Sequence, residues 1–141
     1  MCKCGECKVC CTVLPIDEIS KPTGIVCQHY CDGCTIHDTK PKVCKDFNCA
    51  YLEASDIISV NLRPDKCGVM FFKKNKNIFS GIINKDIGMT AVAKNQIASF
   101  NRQGYSVILL SKDEQPHIIL AEGHTAPEIY KEYIGLLNGN I

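Results

Sequence analysis

The chain has 141 residues, with 16 Lys+Arg against 15 Asp+Glu and a formal charge of +1 when its four histidines are neutral. That near balance, with no run of five basic residues, argues against a protein whose main task is neutralising a long nucleic-acid backbone. A hydrophobic content of 45% excludes wholesale disorder, and the length suits one compact domain or a small one with an appendage.

The eleven cysteines divide the chain. Ten of them (Cys2, Cys4, Cys7, Cys10, Cys11, Cys27, Cys31, Cys34, Cys44 and Cys49) fall in the first 49 residues, and Cys67 alone comes later. The expected organisation is a cysteine-rich segment over 1–50 and a small α+β body over 51–141. No apolar leader follows Met1, and no run approaches the roughly 18 apolar residues that span a membrane. A cytoplasmic setting is therefore expected. Thiols stay reduced there, and an odd number cannot pair completely, so metal is favoured over disulfides as the staple.

The first cluster reads Cys4-Gly5-Glu6-Cys7-Lys8-Val9-Cys10-Cys11. A Cys-x2-Cys turn can set two thiolates on one metal while backbone N–H groups face the sulfurs. Three cysteines so spaced also suit an iron–sulfur cluster with a fourth ligand from elsewhere. The apolar residues over 13–19 are too few for an independent core, so the segment is expected to fold around metal. The second cluster places Cys27 before a tight Cys31-Asp32-Gly33-Cys34 turn. His37 and Pro41 follow, and a helical turn over 43–47 orients Cys44 and Cys49.

On these residues the chain resembles the cysteine-cluster family described as zinc- or iron-chelating proteins. The resemblance rests on the run from Cys4 to Cys11, then Cys27, Cys34 and Pro41 ahead of Cys44-x-x-Phe47-x-Cys49. Three departures stand out: His37 where an aromatic is common, Lys40-Pro41 in place of Arg-Pro, and the extra Cys31. The resemblance implies metal binding with Cys4, Cys7, Cys10, Cys11, Cys27, Cys34, Cys44 and Cys49 as ligands, and implies no particular reaction. Zinc in two four-thiolate sites is the expected cofactor, with an iron–sulfur cluster as its rival, since spacing alone does not separate them. Cys2 sits at a terminus, Cys31 is a ligand or a thiol, and Cys67 is expected as a small buried hydrophobe. His29 and His37 lie close enough in sequence to donate to a sulfur, or are surface residues beside a turn.

Downstream, apolar runs at 68–72 and 78–83 predict a β-hairpin whose tip carries Lys73, Lys74 and Lys76. A helix is expected over 90–102, with Ala93, Ile97 and Phe100 on one face and Gly104 beyond its end. Runs at 105–110 and 117–122 predict two more strands, and Ile108-Leu109-Leu110 marks a central one. Thr125 and Glu128 form a capping box before a last helix that aligns Ile129, Tyr133 and Leu137. The expected fold is α+β: a metal-stapled N-terminal segment packed on a four-stranded, mainly antiparallel sheet with two helices on one side.

Signals of catalysis are thin. HExxH, GxSxG, phosphate-binding and dinucleotide motifs are absent from the sequence. The loop Glu122-Gly123-His124-Thr125 gathers a carboxylate, an imidazole and a hydroxyl, but a helix start accounts for it. The expected function is a metal-binding protein, zinc held by thiolates, with a structural or protein-interaction role and a protein partner. The alternative is an iron–sulfur redox or enzyme-accessory protein. Catalysis, nucleic-acid binding and metal buffering are the weaker expectations, and no membrane association is expected.

Overall fold

Four successive residues, Ser106 to Leu109, are buried in the central strand, so the sheet is covered on both faces. The computed structural model describes residues 7–31, 34–53 and 60–137. The chain passes through α1 (Val9–Val13), α2 (Lys42–Asp46), α3 (Ala50–Glu53) and α4 (Pro64–Cys67). It then forms β1 (Val69–Lys73), β2 (Ile78–Ile83), α5 (Ala91–Arg102), β3 (Ser106–Leu110), β4 (His117–Ile119) and α6 (Ala126–Leu137). The four strands lie in the order β1-β2-β3-β4.

One face of the sheet carries Val69, Phe71, Phe79, Val107 and Leu109, and α5 covers it with Ala93, Ile97 and Phe100. Phe100 stacks on Phe79 at 4.0 Å between ring centroids and meets the edge of Phe71 at 5.4 Å. Burying each Ile or Phe here contributes about 1.5–3 kcal/mol. Gly81 makes the close packing possible, because a Cβ there would stand 2.8 Å from Val69 and 2.9 Å from Leu109. The opposite face carries Ile78 and Ile108 beneath Ile129 and Tyr133 of α6. Beside them, Met70 and Ile82 lie beneath Val9, Cys7 and Cys49 of the N-terminal segment.

Helix ends follow the local sequence. Thr90 caps α5 by accepting from the Ala93 N–H, and its own hydroxyl donates to the Cys67 carbonyl at 2.8 Å. At α6 the Thr125 hydroxyl donates to the Glu128 carboxylate at 2.8 Å, and the same carboxylate accepts from the Thr125 N–H.

Three expectations about the fold need correction. First, β2 and β3 run parallel while both outer pairs are antiparallel, so the sheet is mixed. A helix between two strands returns the chain to the end where it began, which is the geometry a parallel pair requires. Second, α5 and α6 lie on opposite faces rather than on one side, because α5 already occupies the face it crosses. Third, no metal-stapled cysteine cluster holds the N-terminal segment among the described residues. The apolar core that this segment lacks by itself is supplied by the sheet: Val9 is 1% exposed, packed with Met70, and Phe47 meets the edge of Phe72 at 5.8 Å. Among the described residues no helix is long and apolar enough to cross a membrane.

Candidate functional site

The N-terminal segment and the sheet flank a half-open cavity of about 470 Å³. Its walls are mainly apolar, from Leu14, Ile16, Tyr30, Val43, Leu52 and Met70 among others. Seven of the eight cysteines expected as ligands line it: Cys7, Cys10, Cys11, Cys27, Cys34, Cys44 and Cys49. Cys4 and Cys2 lie outside the described residues, as do the Asp32-Gly33 corner and the side chain of His37. Cys31 is exposed and is not part of the wall, and His29 meets Gln28 at 3.3 Å.

Lining a chamber is not the same as holding a metal. Zinc draws its sulfurs to about 2.3 Å from one point, which leaves them roughly 4 Å apart. Among the described residues no group of three or more Cys, His, Asp or Glu is arranged to hold a metal ion. The resemblance to the metal-chelating cysteine-cluster family, the zinc or iron–sulfur cofactor and the metal-binding function are thereby overturned. The physical reason lies in how the thiols are seated. Cys7 and Cys49 are buried in the apolar cluster formed with Val9 and Met70. Comparison of the chain with protein-family models, curated proteins and solved structures finds no match.

The seating sets the chemistry of each thiol. Burial pushes Cys7 up to about 11, so it stays protonated at neutral pH. Burial also raises Cys44, and the neighbouring Cys11, Cys27 and Cys34 add to the effect. Cys11 moves the other way, down to about 7, because the Cys10 side chain hydrogen-bonds to it and the Lys21 and Lys40 ammoniums stand near. Cys67 lies outside the cavity, fully buried, with its thiol donating to the Val69 carbonyl at 3.1 Å.

Lys21 is the residue that sequence reading missed. It is only 4% exposed. Its ammonium donates to the carbonyls of Thr12 at 2.9 Å, Leu14 at 2.6 Å and Pro22 at 3.0 Å. Among the described residues no carboxylate pairs with it, and burial lowers its pKa. The ionisable groups it faces are Cys27, Cys11, Cys10 and Cys44. A buried cation without a carboxylate favours negative charge on those sulfurs. Its backbone turns back on itself through Ser20, whose φ of 53° is left-handed, so that Ile16 and Lys21 exchange both backbone hydrogen bonds. Nothing in the local sequence marks this burial, since a lysine before proline is usually a solvated turn residue.

The loop before α6 also holds a pair that the sequence hid. The Ser106 hydroxyl accepts from the Ala121 N–H at 2.9 Å and shares a hydrogen bond of 2.7 Å with His124 Nδ1. Ser106 is wholly buried, so the pair ties the loop to β3 rather than presenting a nucleophile.

Proposed function

We propose that the protein is a non-catalytic binding protein whose cysteine-lined cavity takes a small molecule with an apolar body and one anionic group. One observation carries this reading: the charged residues on a mainly apolar wall are Lys40, Lys45 and Arg63, and no carboxylate stands among the described lining residues. A volume of about 470 Å³ suits such a ligand, since small-molecule sites run from about 300 to 1,000 Å³. Arg63 is already engaged with Asp65 through bonds of 2.5 and 2.7 Å, which leaves the two lysines to meet the anion. This reading sets the protein in the cytoplasm, where thiols remain reduced.

Fluorescence titration with 1-anilinonaphthalene-8-sulfonate, an apolar anion, tests it. Saturable binding at one site, displaced by octanoate and weakened about tenfold by Lys40→Glu with Lys45→Glu, is the expected result. Signal that does not saturate, or affinity untouched by the double substitution, overturns it. Retention of a cooperative urea transition guards against dye binding to a loosened state.

A second reading, a protein partner inserting an apolar side chain, is favoured by Ile25, Val26 and Val43, which are 55%, 42% and 45% exposed. Displacement of the dye by an apolar peptide but not by octanoate would move the site to that reading.

A further inference from the structure

We infer that Cys11 and Cys27 form a thiol–disulfide exchange site, which closes residues 12–26 into a covalent loop when it meets a low-molecular-weight disulfide. The backbone N–H of Cys27 donates to the carbonyl of Cys11 at 2.8 Å. With standard bond lengths, that contact keeps their two Cα atoms within about 6.7 Å of each other. A disulfide spans Cα separations of about 4.4–6.8 Å. Both side chains line the same cavity and both are half-buried thiols, so a small disulfide can reach them.

The rest of the loop is built to keep the two ends together. Lys21 sits inside it and ties Thr12, Leu14 and Pro22 to one ammonium, while Ile16 and Lys21 pair through their backbones. The same ammonium faces Cys11 and Cys27 at once. Cys10 is adjacent to Cys11 but lies beside it in α1, where a disulfide between neighbours would distort the peptide bond that joins them.

The chemistry balances without any further reactant. The Cys11 thiolate attacks one sulfur of RS–SR; the S–S bond breaks, and RS⁻ leaves and takes up a proton. Cys27 then loses its proton to water and attacks the Cys11 sulfur, expelling the second RS⁻. Two cysteine thiols lose two electrons, and one RS–SR becomes two RSH. This inference rests on the backbone contact and does not depend on which ligand the cavity takes.

The test uses the full chain with oxidised glutathione as the disulfide, followed by alkylation of the remaining thiols and mass mapping. Cleavage after Glu18 separates the Cys11 fragment from the Cys27 fragment, and fragment-ion sequencing of the linked pair distinguishes Cys11 from Cys7 and Cys10, and Cys27 from Cys31, Cys34, Cys44 and Cys49. The expected result is a chain lighter by two hydrogens, with those fragments linked. In Cys27→Ser the reaction stops one step earlier, with a single glutathione held on Cys11, whereas Cys31→Ser still closes the loop. A link from Cys11 to another cysteine, closure that persists in Cys27→Ser, or no reaction of the unaltered chain overturns the inference. Mapping the unaltered chain needs no variant, so a misfolded Cys27→Ser cannot decide the matter.

Discussion

The sheet with α5 and α6 and the cysteine-rich segment reach order by different means. In the first, long periodic elements bury apolar faces: Ile78, Ile108, Val69 and Val107 are wholly buried, and two twelve-residue helices close the layers. In the second, the α-helices run only four or five residues, and one apolar patch anchors the segment to the sheet. A lysine tied to three carbonyls organises its loop. The comparison teaches that a cysteine-dense stretch can be ordered by a borrowed apolar surface and a buried cation.

Substitutions should separate the two regimes. The largest effect is expected from Ile108→Ala, which opens a void in the central strand and should cost about 3–4 kcal/mol in urea unfolding. Lys21→Met should cost about 2 kcal/mol by leaving three carbonyls without their donor. Hydrogen exchange should then speed up over residues 12–22 while β2 and β3 keep their protection. Equal loss of protection in both regions would show one cooperative unit and break the comparison. Asp65 offers a smaller, pH-dependent probe. The Arg63 side chain donates to its carboxylate and holds it below its ordinary range. A depressed acid stabilises the fold fully above its unfolded value and loses that contribution as pH falls through the folded one. Asp65→Asn should therefore cost about 1 kcal/mol at neutral pH and little in strong acid. Finally, Cys11 should be alkylated with half-maximal rate near pH 7, following its value of about 7. At neutral pH it should react roughly fivefold faster than an ordinary thiol, since lower nucleophilicity offsets much of the gain in thiolate.

Much of the sheet region was legible in sequence because its signals are local. The apolar runs at 68–72 and 78–83 coincide closely with Val69–Lys73 and Ile78–Ile83, and Thr90 and Thr125 stand at the starts of the helices that they announce. Strand direction was not legible, because nothing in the β2 or β3 sequences states which neighbour each will choose. In the N-terminal segment, cysteine spacing pointed to metal. The same spacing serves a cavity wall once Met70 and Ile82, remote in sequence, supply the apolar surface. The buried Lys21 was invisible for the same reason, since its acceptors are carbonyls, which every residue carries.

The parallel seam has a consequence for how the chain finds its shape. β1 with β2, and β3 with β4, each close across a short turn, whereas Ile78 must find Ser106 across α5. Joining the hairpins over that span is expected to be the slow kinetic event, because chain entropy is lost there before any contact repays it. Core substitutions on β2 or β3 that face this seam should therefore retard refolding, whereas changes at the outer edge of β4 mainly hasten unfolding.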